Sequence, residues 1–288
     1  MLLMRPKSSS LFSSFAKLLL FSLLLLSPIL RGQEEKLRIV SLSPAITEIL
    51  CLLGGEKFLV GRCSSCNYPE SVKKIPVAGG FAQPDMEKIL SLRPTHLLSN
   101  DLINPVAAKR FSSLGIQCMT KQASRKEDYF FWVELIGKLL SKEKEASSEI
   151  DRVEKILGDL EKKTHLIPEK ERKRVLWIIW DSPLMAAGKN SLPDSIIRYA
   201  GGKNIAENVK SDYFKCSPEW VERSAPDIIV FLDLPPKKRK ELSSRYPWNA
   251  LKAWKEGRIV SEIPEDLLLR PGPRFTEGVL LLNRALYP

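Results

Sequence analysis

Histidine is nearly missing from this chain, with two among 288 residues. That shortage argues against a His-rich metal site and against a catalytic centre built on several imidazoles. The G-x-G-x-x-G turn of dinucleotide sites, the phosphate-binding loop and the G-x-S-x-G nucleophile elbow are also missing. His96 falls inside an apolar strand and His165 ends a charged helix, so both read as structural. Acidic side chains are absent from residues 1–32, which hold Arg5, Lys7, Lys17 and Arg31. Long apolar runs are absent too. The run from Leu18 to Leu26 falls short of the roughly 17–25 residues that a membrane-spanning helix needs. A basic start, a short apolar run and then Ser27-Pro28 make the layout of a secretory signal peptide over residues 1–32. An uncleaved membrane anchor is the alternative. No cysteine follows the run, so a lipidated N-terminus is not expected.

The formal charge is +11. Four of those eleven charges belong to residues 1–32, which leaves seven for the rest. Lys237-Lys238-Arg239-Lys240 lacks the interleaved aromatics of a nucleic-acid surface and follows Pro235-Pro236, so it reads as a solvated turn or helix start. No nucleic-acid partner is expected. Hydrophobic content of 44% with six Trp and eleven Phe suffices for a packed core. Export would let disulfides persist among the five cysteines. Cys63 and Cys66 form a lone C-x-x-C. With Ser64-Ser65 between them and Pro69 close behind, it reads as a loop and not as the helix-opening turn of a redox motif. Zinc would need two further ligands. The cysteines are therefore read as structural or incidental, with the odd count leaving one thiol free or bridged to another molecule.

Apolar strands and amphipathic helices alternate along the chain. Leu37–Leu42 predicts a strand, followed by a helix that Ser43 caps and Pro44 opens, stopped by Gly54-Gly55. Phe58–Gly61, Thr95–Ser99 and Ile116–Met119 predict further strands, with helices over Asp85–Leu92 and Asn104–Leu114 between them. From Ser141 to Thr164 the texture changes. Ala146, Ile150, Val153, Leu157 and Leu160 form one stripe of a long helix whose other faces are charged, with Asp151–Lys155 and Asp159–Lys163 as supporting pairs. Alternation then restarts: strands at Val175–Trp180, Asp227–Asp233 and Arg258–Ile263, and helices at Pro193–Ala200, from Ser217-Pro218, and over Pro273–Leu286. The expectation is an α/β protein of two lobes with mainly parallel sheets, joined by a single long backbone helix. The lobes are assigned to 33–140 and 166–288, and the bridging helix to 141–165. Met86–Leu98 and Pro218–Val230 share a pattern: a glutamate in the first helical turn, Glu87 or Glu219, stands seven residues before a proline that introduces an apolar strand.

Ligands of open α/β sheets sit beyond the carboxyl ends of the strands. The segments leaving those ends are Ser64–Tyr68, Gly79–Gln83, Asp181–Gly188, Tyr213–Cys216 and Glu265–Arg270. They bring Phe81, Tyr213 and Phe214 together with Asp181, Asp266 and Arg270. The turns Gly79-Gly80 and Ala186-Ala187-Gly188 would let a bulky ligand approach the backbone. A cleft with apolar walls and few polar groups fits a large organic ligand. No acid–base or nucleophilic constellation is legible, so an enzyme is not expected. An exported enzyme, which would need paired, perturbed carboxylates in the cleft, and a membrane-tethered interaction protein are the remote alternatives.

Arg38–Glu48 (RIVSLSPAITE) resembles the opening of periplasmic substrate-binding proteins of the cobalamin and iron-siderophore ABC importers. Val77–Pro94, Trp180–Gly188, Ala200–Ile205 and Arg270–Arg274 continue the resemblance, which covers about residues 37–287 and is nearest to the cobalamin-binding branch. It implies two lobes bridged by a long helix, a ligand held between them and delivery to a membrane permease and its ATPase. It further implies one surface glutamate per lobe pairing with permease arginines, at Glu87 and Glu219. For the ligand it points to Ser65, Gly80, Phe81, Trp180, Leu184, Tyr213, Phe214, Asp266 and Arg270. Ser65 stands where the cobalamin binder has a tyrosine, and Phe81 and Tyr213 where it has tryptophans. Asp266 matches an aspartate, Leu267 replaces a neighbouring tryptophan, and Ala200 stands at a position of that relative's disulfide. Cobalamin or a related corrinoid is thus the first choice, with a ferric siderophore or haem as the alternative. No cofactor, catalytic residue or bound metal is implied, and the expected form is a periplasmic monomer.

Overall fold

A computed structural model describes residues 36–100, 102–122 and 125–288. The expected export signal, residues 1–32, lies outside the described residues. The first sheet begins with β1 (Ile39–Ser41), buried along its whole length. Helix α1 (Pro44–Leu52) follows, then β2 (Leu59–Cys63) and a hairpin of β3 (Val77–Gly80) and β4 (Gln83–Pro84). Helix α2 (Met86–Ser91), β5 (His96–Ser99), α3 (Pro105–Ser113) and β6 (Gln117–Thr120) complete it. The strand order is β4-β3-β2-β1-β5-β6, and every pair is parallel except β3 with β4. Val40, Leu42, Cys63, Leu97 and Phe111 belong to the apolar core on this sheet.

Two helices follow. Helix α4 (Lys126–Leu140) buries Tyr129, Trp132, Val133 and Ile136, a stripe at helical spacing. It turns at Ser141, whose φ of 54° is left-handed, into α5 (Glu143–His165). The 23 residues of α5 span about 35 Å at 1.5 Å each. Its stripe buries Ala146, Val153, Leu157 and Leu160 as expected, while Ile150 is only half-buried and Glu149 takes a buried place. Asp159 pairs with Lys162 at 3.4 Å and not with Lys163.

The second sheet uses β7 (Arg174–Asp181), β8 (Leu184–Ala187), β9 (Lys203–Asn204), β10 (Tyr213–Lys215), β11 (Ile228–Val230) and β12 (Ile259–Val260). Its order is β10-β8-β7-β11-β12, with β9 also on β7. β11 and β9 run parallel to β7, β8 runs antiparallel to β7, and β10 runs antiparallel to β8. Helices α6 (Leu192–Tyr199), α7 (Pro218–Ser224), α8 (Pro236–Leu242), α9 (Lys252–Lys255), α10 (Glu265–Leu268) and α11 (Phe275–Leu286) complete the chain. A separate core gathers Leu176, Ile229, Trp248 and Trp254, the two indoles 4.8 Å apart. Two sheets, each with its own core and with α4 and α5 between them in the chain, make the two-lobed α/β architecture.

Three local expectations change. Ser43 precedes α1 but its hydroxyl makes no cap bond; the buried start of this helix leaves the pairing to backbone, with Thr47 N–H reaching Ser43 O at 3.0 Å. Helix α4 was not expected at all. Ala186-Ala187 are not a turn but the end of β8, and a Cβ on Gly188 would collide with the Ser211 carbonyl, so that glycine serves chain packing.

Candidate functional site

At the carboxyl ends of the first sheet the chain leaves β1 at Ser43, β2 at Ser65, β3 at Phe81 and β5 at Asn100. Those residues, with Pro44 and Ala45, face Glu265–Pro271 of the second lobe around a cavity of about 260 Å³. Of the residues expected from sequence, Ser65, Phe81, Asp266 and Arg270 come together here. Gly80 immediately precedes Phe81, which is 42% exposed, a large apolar ring presented to solvent at the cavity wall. Asp266 and Arg270 lie one helical turn apart and form an ion pair at 2.7 Å. Asn67 from the first lobe spans to both: its amide donates to Asp266 Oδ2 at 3.2 Å, and its Oδ1 accepts from Arg270 Nη1 at 2.6 Å. The two lobes therefore touch through a polar latch beside the cavity.

The second lobe's other candidates sort by strand parity, because successive strand residues face opposite sides. Trp180 pairs with Met185 and Met185 with Lys215, which shares a face with Tyr213. Trp180 and Tyr213 are accordingly both exposed, at 60% and 46%. Leu184 and Phe214 pack instead against the second lobe's core, Phe214 edge-on to Trp220 at 5.2 Å. None of Trp180, Leu184, Tyr213 and Phe214 lines the cavity. Burial, with Asp212 nearby, pushes the Tyr213 phenol up. Asp181 is engaged by Lys238 at 2.8 Å.

The sequence does not single out Asn67 or Asn100, and it marks Ser43 only as a helix cap. Asn67 lies within a segment already assigned to the cleft, and Asn100 directly follows the carboxyl end of β5, so the strand-end rule reaches both. Two larger hollows, about 670 and 560 Å³, are lined mainly by helix residues such as Glu154, His165 and Arg198, or Leu52, Arg152 and Leu280. They lie along α5 and not at strand ends. Among the described residues no cluster of three or more His, Cys, Asp or Glu could hold a metal ion, and no helix is long and apolar enough to cross a membrane.

Glu87 and Glu219 are exposed and sit in the first turn of α2 and α7. Asp85 caps α2 through Lys88 N–H, and Ser217 caps α7 through Trp220 N–H. Each helix ends at a left-handed residue directly before a proline, Arg93 at φ 46° and Ala225 at φ 42°. Each then feeds a parallel strand, β5 beside β1 and β11 beside β7. The internal correspondence is thus structural as well as sequential. A backbone N–H and the Ser217 hydroxyl hold the Glu219 carboxyl below its ordinary range.

Two lobes, a helical backbone and a cleft at the strand ends define a solute-binding protein. The periplasmic binding protein family matches residues 39–266, and the chain belongs to it. It is 29% identical over 261 residues to an uncharacterized ABC transporter substrate-binding lipoprotein, YvrC, of Bacillus subtilis, covering 89% of this chain and 82% of that protein. It is 23% identical over 257 residues to the vitamin B12-binding protein of Vibrio vulnificus, covering 88% and 92%. Among solved structures, the periplasmic heme-binding protein HutB of Vibrio cholerae superposes with a TM-score of 0.78 at 26% identity, covering 88% of this chain and all of that one. The heme-binding protein RhuT of Roseiflexus gives 0.78 at 25% identity, covering 88% and 98%. The first of these relatives is a substrate-binding lipoprotein of an ABC transporter, the others bind vitamin B12 or heme, and the family is one of solute-binding proteins.

Proposed function

We propose that this protein is the exported solute-binding component of an ABC importer, and that it captures cobalamin or a related corrinoid between its lobes. The observation that carries this reading is the interlobe cavity, where Ser65, Phe81, Asp266 and Arg270 converge. Phe81 supplies an exposed apolar plane and Trp180 and Tyr213 supply two more across the second sheet, the surfaces that a broad conjugated ring system stacks on. Haem is the second reading, favoured by two fold relatives that bind it and by Arg270, whose guanidinium suits a carboxylate. The cavity lies below the range of about 300–1,000 Å³ usual for ligand pockets. Either ligand therefore enters by parting the Asn67–Asp266–Arg270 latch, and closure around it follows.

Tryptophan quenching on titration with cyanocobalamin, haemin and a panel of ferric siderophores tests the reading. A saturable response to cyanocobalamin is expected, reduced in amplitude in Trp180→Phe. A response to haemin alone selects the second reading, and no saturable response to any of them refutes both.

A further inference from the structure

Behind the wall of this cleft lies a chain of buried donors that ligand capture does not use. Cys63 ends β2 and Cys66 closes the next turn, its N–H bonded to Cys63 O at 3.1 Å. The two Sγ atoms are 2.7 Å apart, and both side chains are buried. Cys66 Sγ lies 3.2 Å from Thr47 Oγ1, which donates to Ser41 Oγ at 2.9 Å, and Ser41 Oγ donates to Ser43 O at 3.2 Å. Arg62 fixes the turn from the other side, its Nη1 donating to both Cys63 O and Cys66 O at 3.1 Å. The ends of this assembly reach the cleft. Ser43 and Ser65 line it, and Asn67, the residue after Cys66, makes the interlobe latch.

We infer that Cys63 and Cys66 are a redox dithiol set in the cleft wall, closing to a disulfide by exchange with an external disulfide and reopening on reduction. Cys66 is the attacking sulfur, because the Cys63 S–H at 2.7 Å can donate to its thiolate and the cationic Arg62 guanidinium is held at the Cys66 backbone. The thiolate displaces one sulfur of an external disulfide, such as oxidised glutathione, and a mixed disulfide forms. Cys63 then loses its proton, attacks Cys66 Sγ and expels the second external sulfur. Two protein thiols are oxidised, one external disulfide is reduced, and both protons pass to the departing thiolates. Ser64 and Ser65 are exposed, so opening this one surface turn admits the reagent. Competing thiols are suppressed: burial pushes Cys51 up to about 12 and Cys216 to about 11, and raises Cys118 as well. Closing the bond tightens the turn from Cys63 to Cys66 and re-seats Asn67. That second consequence rests on the proposed function; the disulfide itself does not.

The test uses the full chain equilibrated with reduced and oxidised glutathione, then acid-quenched, denatured, alkylated and digested with trypsin. One tryptic peptide, residues 63–73, carries both cysteines. It should lose both alkylation sites and about 2 Da on oxidation, reversibly with dithiothreitol, while Cys51, Cys118 and Cys216 stay alkylated. Cys63→Ser should trap a glutathione adduct on Cys66, and Cys66→Ser should leave Cys63 unmodified. Both thiols alkylated at every ratio, or pairing with another cysteine, overturns the site. A cobalamin or haemin titration of oxidised and reduced chain should give affinities that differ severalfold, a difference absent from the Cys63→Ala/Cys66→Ala variant. Equal affinities overturn the coupling to the cleft. Absence of binding in every form counts against the proposed function and leaves the mass shift standing.

Discussion

Arg274 joins residues 226 positions apart in the sequence: its guanidinium grips Glu48 of α1 through two bonds of 2.9 and 2.7 Å. The Glu48 side chain is 3% exposed, and Arg274 also stacks on the Tyr68 ring at 3.8 Å. Removing one partner of such a pair leaves a buried uncompensated charge, at a cost of about 3–5 kcal/mol. Arg274→Met should therefore lower the urea midpoint strongly, and Glu48→Gln added to it should restore part of the loss. A double-mutant coupling near zero would show that the pair is not acting as one unit. His96 offers a pH-dependent counterpart. Burial is the main influence on its imidazole and lowers its pKa from the ordinary 6.5. A base whose folded pKa is depressed stabilises the fold above its unfolded value and loses that contribution as pH falls through it. Thermal midpoints should accordingly decline below about pH 6.5, and His96→Gln should flatten that part of the profile. An unchanged slope in the variant would remove His96 as its source. Both motifs that end at Glu48 and Arg274 were legible in the sequence; their pairing was not, because no local rule relates positions so far apart.

Helix packing sets limits that propensity alone would misjudge. Gly137 lies inside α4, where Ala is ordinarily better by about 1 kcal/mol. A Cβ there would stand 2.6 Å from Ala146 Cβ on α5. Gly137→Ala should therefore destabilise by about 1–3 kcal/mol, and Ala146→Gly in the same chain should recover part of it. Equal or higher stability of the single variant, by thermal or urea unfolding, would show that α4 and α5 can separate without cost. The α5 stripe was legible because one apolar face repeats over about four turns among charges. The α4 stripe of Tyr129, Trp132, Val133 and Ile136 obeys the same spacing, but its four consecutive aromatics, Tyr129–Trp132, mask the polar face that marks an amphipathic helix. β8 and β10 were illegible for a different reason. Leu184–Ala187 and Tyr213–Lys215 are too short to show alternation, and only pairing across the sheet makes them strands. That pairing decides which of Tyr213 and Phe214 faces outward, so half of the aromatic candidates depended on tertiary contact.

At the level of the whole molecule the repeat of α2–β5 in α7–β11 places one exposed glutamate at the same structural position in each lobe. Repetition of the N-cap, the left-handed helix end and the following proline shows that the two glutamates inherit equivalent surroundings. Equivalent acidic points, one on each lobe, suit a transporter that presents paired basic sites. We propose that Glu87 and Glu219 serve docking and leave ligand capture to the cleft, whose lining includes neither. Glu87→Lys and Glu219→Lys should each weaken stimulation of the cognate transporter ATPase, and the double variant should abolish it. Both sites are exposed, so folding and ligand titration curves should be unchanged. Added salt should weaken the parent complex, since an exposed ionic contact is screened over about 10 Å at 0.1 M ionic strength. Full stimulation by the double variant would exclude these glutamates from docking. Lost ligand binding would instead place them in the cleft's own mechanism, so transport and binding have to be measured on the same preparations.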